Sequence, residues 1–342
     1  MNNPNINRAK TVLVLGATGG FGSALCPRML ESGWQVRAVT RNNKQNTHEQ
    51  SINAKHPDAL NQIKWFVGNL NEPASLRSAA EGVNVIVHAI NVPYPKWDPL
   101  MMNYTQTIID LARDNNAHLM FVGNIYNAGI PADGVITEHT PHAPINEKGQ
   151  VRATLERMLE EASKSGVSTT IMRFGDFFGP GIPSSNWFDI CTKGVAKNKL
   201  SLAGPATMPH TYAYLPDAAK AMEQVASKRI ESAELPKHML LPFAGHVFSF
   251  AQLRSIIEEH TGKALKISGM PWRVFKLLGL VVPLMRDLTS MRYLWNHDIR
   301  MDGSALSRLT GAAPEHTPLA QAVFNTIPGL NIDTKTDALK AD

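Results

Sequence analysis

Thr11-Val-Leu-Val-Leu-Gly-Ala-Thr-Gly-Gly-Phe-Gly22 is the stretch on which the fold turns. Its first five residues form a short apolar run rich in β-branched side chains, as a strand buried on both faces requires. The run passes directly into Gly16-x-x-Gly19-x-x-Gly22, and a helical pattern from Ser23 to Ser32 then stops at Gly33. Gln35 to Thr40 reads as a second strand. A glycine turn in this context lets the backbone approach a diphosphate. The helix N-terminus adds unpaired N–H groups and a partial positive charge. Gly16, Thr18, Gly19, Phe21 and Gly22 are the residues expected to meet a dinucleotide there.

The end of the second strand bears on which dinucleotide. An acidic side chain at that point binds the ribose hydroxyls of NAD and repels a 2′-phosphate. Here Val39-Thr40-Arg41 is followed by Asn42, Asn43 and Lys44. A hydroxyl beside a forked guanidinium suits a phosphate monoester, so Thr40 and Arg41 are assigned to it and NADP is expected in preference to NAD. A solvated basic turn is the other reading.

The alternation continues. Strands are expected at 63–67, 83–89, 119–122 and 169–174, with helices at 72–81, 100–115 and 150–165 between them. This rhythm predicts an α/β protein with a Rossmann-type, doubly wound parallel sheet. Gly179-Pro-Gly-Ile-Pro183 breaks the pattern. The expected organisation is a dinucleotide-binding Rossmann domain at 1–180 with a return segment near 212–242, a smaller C-terminal α/β substrate region at 181–330, and a polar, disordered tail at 331–342.

Composition narrows the class. Of 342 residues, 43% are hydrophobic and 18% charged, which excludes a disordered or coiled-coil architecture. The net charge of +5 is spread along the chain, without the dense basic cluster of a nucleic-acid binder. Cys26 and Cys191 are the only cysteines, too few for a disulfide framework, and point to a reducing compartment. The polar, Asn-rich start lacks the apolar core of a signal peptide, and Phe275 to Met285 is too short to span a bilayer. A cytoplasmic protein is expected, acting on a small molecule, with no nucleic-acid partner and no integral membrane segment; a homodimeric assembly is left open.

With these motifs in place, the chain resembles the extended branch of the short-chain dehydrogenase/reductase superfamily, the group of nucleotide-sugar epimerases and dehydratases. The likeness runs over roughly residues 10 to 330. Beyond the fingerprint at Thr11 to Gly22, Gly68-Asn69-Leu70 is similar to the Gly-Asp-Leu step at the adenine, with Asn in place of Asp. Val87-His88-Ala89 resembles the strand end beside the nicotinamide half, and Asn103 the asparagine of the following helix. Arg173-Phe-Gly175 with Phe178-Gly-Pro-Gly181, and Tyr212-Ala-Tyr-Leu-Pro-Asp217, match the segments leading into and out of the substrate region.

The resemblance implies a Ser or Thr followed by a Tyr-x-x-x-Lys pair, with tyrosinate as acid or base and lysine on the nicotinamide ribose. Counting back from Glu156 along its helix puts Arg152 at the Lys position and Lys148 at the Tyr position, and Asn124 falls where the Ser or Thr belongs. The frame survives with all three residue types changed. Arg152 can still donate to ribose hydroxyls, Asn124 can donate to a substrate oxygen, and the Lys148 ammonium can polarise a carbonyl. A solvated basic helix face is the other reading of Lys148 and Arg152. Tyr126 is a candidate displaced acid; Tyr126, Tyr212 and Tyr214 also read as ordinary packed aromatics.

Other features carry less. His139-Thr-Pro-His142 reads as a loop rather than a zinc site, so no metal is expected. Pro93-Tyr-Pro-Lys-Trp97, directly after a strand, reads as a cover for cofactor or substrate or as a rigid surface turn. Trp272, Phe275, Tyr293 and Trp295 line a substrate pocket or pack the second region's own core. Arg273, Lys276 and Arg286 flank an apolar run there, in the manner of a membrane-surface helix. Two functions are therefore in view. One is an NADP-dependent oxidoreductase or epimerase/dehydratase-like enzyme moving a hydride at a carbonyl or carbinol carbon. The other is a catalytically silent NADP(H)-binding regulator.

Overall fold

The computed structural model describes residues 10–41, 61–181 and 186–330; Asn42 to Lys44 and the tail at 331–342 lie outside the described residues. The opening apolar run is β1 (Thr11–Leu15), followed by α1 (Gly20–Glu31), β2 (Gln35–Thr40), β3 (Lys64–Val67), α2 (Arg77–Ala80), β4 (Val85–His88), α3 (Trp97–Asp114) and β5 (His118–Asn124). Then come β6 (Val135–Ile136), α4 (Glu147–Lys164), β7 (Thr169–Phe174), β8 (Asp176–Phe178), α5 (Trp187–Thr192), β9 (Lys199–Leu202), β10 (His210–Tyr214) and α6 (Leu215–Glu231). The chain continues through β11 (His238–Pro242), β12 (His246–Phe248), α7 (Phe250–Thr261), β13 (Lys266–Gly269), α8 (Trp272–Leu278), α9 (Pro283–Ser290), β14 (Arg300–Met301), α10 (Ser304–Thr310) and α11 (Leu319–Thr326).

Seven strands form one parallel sheet in the order β3-β2-β1-β4-β5-β7-β11. The order reverses between β1 and β4, where Leu15 lies opposite His88. A crevice opens beyond the carboxyl ends of strands at such a reversal, and there a doubly wound sheet binds its ligand. Residue alternation along each strand divides the core. Leu13, Leu15, Ile86, Phe121 and Ile171 pack against α3 and α4, and Val12, Val14, Val87, Met120 and Met172 against α1 and α6. Full burial of each such side chain stabilises the fold by roughly 1.5–3 kcal/mol.

The last strand of this sheet, β11, comes from the segment near 212–242 that returns to the sheet. Strands of the second region join β8 and β6 of the first in a three-stranded sheet (β12-β10-β8) and the pair β14-β6, and form the pair β13-β9 among themselves. Its aromatic residues pack inward. The Trp272 indole donates to the Ala203 carbonyl at 3.0 Å, and Trp295 stacks on His210 at 3.7 Å between ring centroids. That is core packing, and the pocket-lining alternative is set aside for these two rings. Cys26 and Cys191 are free and buried, and burial pushes both thiols up to about 12. Among the described residues no helix is long and apolar enough to cross a membrane.

Two buried histidines give the sheet a pH dependence. His88 meets Thr105 Oγ1 at 3.1 Å, and His118 meets Ser168 Oγ and Thr170 Oγ1 at 2.9 Å each. Burial, reinforced by Arg152 at His88 and by Arg229 and Lys237 at His118, lowers both to about 3. Below the unfolded value of about 6.5 the unfolded chain binds more protons than the native one. Stability present above that pH is therefore lost as pH falls toward the native values. We expect the urea midpoint to drop between about pH 7.5 and 5.5, each histidine contributing up to about 1.4 kcal/mol per pH unit below 6.5. The decline should be shallower in His118→Gln, and a level midpoint would show the rings to be protonated in the native state.

Candidate functional site

The turn after β1 is closed by backbone packed on backbone. Gly16 has φ +96°, and a Cβ there would lie 2.6 Å from the Ala89 carbonyl oxygen; one on Gly22 would lie 2.2 Å from the Gly16 oxygen. No other residue fits either position. The Gly19 N–H donates to Gly16 O at 2.9 Å, and Gly19 caps α1 without a side-chain bond. No acidic residue occupies the first turn of α1. Its leading N–H groups therefore meet the crevice uncontested, an arrangement that fits a diphosphate. Phe21 packs its ring on Phe174 and Phe177 at 5.3 and 5.4 Å, so it offers backbone rather than side chain, while Thr18 is exposed on the turn.

The other expected cofactor residues lie along the same sheet edge. Thr40 ends β2, with exposed Arg41 next to it. Asn69, just beyond β3, uses Oδ1 to accept the Asn71 N–H at 3.1 Å, and the Leu70 carbonyl accepts from Thr107 Oγ1 at 3.4 Å. Ala89 contributes the carbonyl that touches Gly16. His88 differs from expectation. Its ring is turned into the core against Thr105 and Phe121, so the strand end meets the crevice through backbone. Asn103 is exposed on α3.

Beyond the carboxyl ends of the strands Asn124, Lys148 and Arg152 each make at least one contact within the protein. Asn124 Oδ1 accepts the Tyr126 N–H at 3.1 Å. The Lys148 ammonium donates to the Tyr94 carbonyl at 2.8 Å and lies 3.1 Å from Asp287 Oδ2, an approach set by charge rather than by an aligned hydrogen bond. Arg152 donates to the Val122 carbonyl at 3.3 Å, with its guanidinium over the rings of Trp97 and Phe121 and Nε buried without a partner. Both basic side chains are buried, which overturns the solvated-face reading. Placing Asp287 at that point needed a contact across 139 positions, and no local pattern announces it.

The Pro93–Trp97 loop brings a second phenol to Tyr126. Tyr94 and Tyr126 place their hydroxyls 3.0 Å apart, and the Trp97 ring sits against both. Burial pushes the Tyr94 phenol up to about 12. Burial, with Tyr94 and Asp176 nearby, holds Tyr126 well above its ordinary value, against the smaller opposing pull of Arg152. Both are therefore neutral proton donors at physiological pH. Tyr293, its hydroxyl buried and unpartnered, is raised by burial and by the same Tyr94 and Asp176. Tyr212 stacks on Phe248 and Tyr214 accepts from Asn325, so these two serve packing.

Three further clusters of charged side chains are present among the described residues. Glu156 accepts from Arg173 at 2.7 and 3.2 Å and contacts His142 at 2.9 Å, which gives the second histidine of the His139–His142 motif a structural partner. Burial alone would raise the Glu156 carboxyl, but His142 and Arg173 hold it below the usual range. Asp176 pairs with His210 at 2.8 Å. Asp217 accepts twice from Thr317, at 2.9 and 2.8 Å, with His246 at 3.7 Å and His316 at 3.9 Å.

Removing one partner of the buried Lys148–Asp287 pair leaves an uncompensated charge. Asp287→Asn should cost about 3–5 kcal/mol in chemical denaturation, whereas Lys148→Met with Asp287→Leu should recover most of that loss. A single variant as stable as wild type would show the pair to be solvated.

This geometry has known counterparts. A sequence profile described as the NAD dependent epimerase/dehydratase family matches residues 12–238. UDP-glucose 4-epimerase of Rickettsia rickettsii (strain Sheila Smith) is 28% identical over 158 residues, 44% of this chain and 42% of that protein. The decarboxylating sterol-4-alpha-carboxylate 3-dehydrogenase of Mus musculus is 26% identical over 192 residues, 52% of this chain and 49% of that protein. The chain thus spans less than half the length of either relative. Among solved structures, UDP-glucuronic acid 4-epimerase from Bacillus cereus in complex with NAD aligns with a TM-score of 0.72 at 15% identity, covering 94% of this chain and 96% of that one. The dTDP-glucose 4,6-dehydratase of Bacillus anthracis, also with NAD, gives 0.70 at 16% identity over 93% and 96%. These two share the fold. The profile match runs from within β1 to the first residue of β11 and covers more than half of the chain: the chain belongs to the NAD dependent epimerase/dehydratase family.

Proposed function

We propose that this protein binds a nicotinamide dinucleotide in the β1–β4 crevice and acts as an oxidoreductase or epimerase/dehydratase-type enzyme on a small-molecule carbonyl or carbinol. The observation that carries the reading is the glycine turn, whose uncapped helix start faces the crevice with no competing carboxylate. When bound, the nicotinamide supplies a hydride donor or acceptor. NADP is the form we assign, because exposed Arg41 follows Thr40 where an acid would select NAD; the solved relatives above hold NAD. Arg152, with an unpartnered buried Nε, is the group we assign to the nicotinamide ribose.

The proton chemistry moves away from the inherited positions. Lys148 holds the Tyr94 loop by its carbonyl, and Asn124 holds the Tyr126 loop by its N–H. They act as positioning residues, and the Tyr126 phenol, backed by the Tyr94 hydroxyl, is the group we assign to the substrate oxygen. A phenol kept neutral gives a proton more readily than it takes one, so carbonyl reduction is the favoured direction. A second reading, a silent NADP(H)-binding regulator, draws support from the engagement of the Lys148 ammonium within the protein.

Fluorescence titration with NADPH and NADH, then a carbonyl panel with NADPH, separates these readings. The enzyme reading expects turnover that falls about 10²–10⁴-fold in Tyr126→Phe with NADPH affinity retained. Tight binding without turnover on any carbonyl supports the regulator. Arg41→Asp should shift the NADPH/NADH affinity ratio about tenfold or more toward NADH. An unchanged ratio would remove the phosphate assignment, and no binding of either nucleotide would remove both readings.

A further inference from the structure

The hairpin formed by α8 and α9 has two unlike faces. Its inner face is anchored. Trp272 bonds to Ala203, Asn146 Nδ2 donates to the Ser290 carbonyl at 2.9 Å, and Asp287 faces Lys148. The outer face and tip are apolar and bare. Leu280 is 80% exposed, Val281 79% and Leu277 68%, with Val274, Leu278 and Leu284 exposed beside them. Most of the large apolar side chains exposed among the described residues fall within this one segment. A contiguous apolar surface of this kind marks an interaction site rather than ordinary surface.

The exposed charges along the hairpin itself are of one sign. Arg273, Lys276, Arg286 and Arg292 are exposed on the hairpin and its exit, and Asp287, the one acid between Pro271 and Arg292, is buried against Lys148. Gly279 lets the two helices close tightly, since a Cβ there would lie 3.0 Å from the Arg286 Cα, and Pro283 starts α9. The result is a blunt aliphatic tip with a basic rim. Helices of seven and eight residues cannot span a bilayer but can seat an apolar tip at its interface. Lys and Arg can then extend to the headgroup phosphates.

We propose that the tip at 274–284 docks this protein on an anionic lipid bilayer. The rim argues for that occupant over a second copy of the chain. A two-fold interface through the tip would set the same cations against each other, whereas anionic headgroups neutralise them. The docking does not depend on the enzymatic reading.

Flotation of the full chain with phosphatidylcholine–phosphatidylglycerol vesicles, against phosphatidylcholine alone, tests this. Binding is expected on the anionic vesicles and should weaken in high salt. Leu280→Asp with Val281→Asp should weaken it about tenfold or more, and Arg273→Glu with Lys276→Glu about fivefold per reversed charge. Circular dichroism and NADPH titration would confirm that these surface variants fold. Failure of the folded wild type to float with anionic vesicles overturns the proposal, as does binding indifferent to both variants. Sedimentation showing a dimer that Leu280→Asp dissolves, without vesicle binding, would assign the tip to self-association instead.

Discussion

The structure hangs on a contact between backbone atoms. Gly16 and Gly22 approach so closely that a single Cβ at either would overlap a carbonyl, of Ala89 in one case and of Gly16 in the other. This contact presses the turn after β1 onto the end of β4 and fixes the start of α1 at the point where the strand order reverses. The uncapped N–H groups of the helix then sit over the crevice rather than over solvent, and no acid in the first turn competes for them. The cofactor reading and the hydride chemistry that would follow from it presuppose this one close approach.

On the opposite wall, low polarity decides what the inherited positions can do. The Lys148 ammonium is buried and must find a counter-charge, and Asp287 provides it from a helix far along the chain. Once so engaged, it steadies the Tyr94 loop. The paired phenols of Tyr94 and Tyr126 are neutral for the same reason: burial penalises their charged forms, and the opposing pull of the Arg152 guanidinium is the smaller effect. The chemical character of this wall, proton-donating rather than proton-accepting, is thus a consequence of desolvation. The same contacts tie the α8–α9 hairpin to the start of α4, so its inner face is fixed while its outer face keeps an apolar tip bare.

Much of the fold was legible in the sequence because its signals are local. The strands at 35–40 and 169–174 coincide with the expected spans, since local apolar patterns mark them. The helix expected at 72–81 is divided into a 3₁₀ turn at Pro73–Leu76 and the short α2, a departure that apolar spacing alone does not reveal. His88 was placed at the right strand end, but which way its ring points depends on Thr105 and Phe121, residues of other elements.

By itself the sequence determined the glycine turn, the strand–helix alternation, the basic end of β2 and the choice of Asn124, Lys148 and Arg152 as candidate site residues. Each of these is written in neighbours a few positions apart. Only the tertiary structure decided that Lys148 faces Asp287, that Tyr94 meets Tyr126, that Glu156 joins His142 to Arg173, and that the apolar hairpin is bare on one side. The physical reason is common to all four. Burial and charge compensation are set by which distant segments pack together, and periodicity along the chain carries no record of that choice.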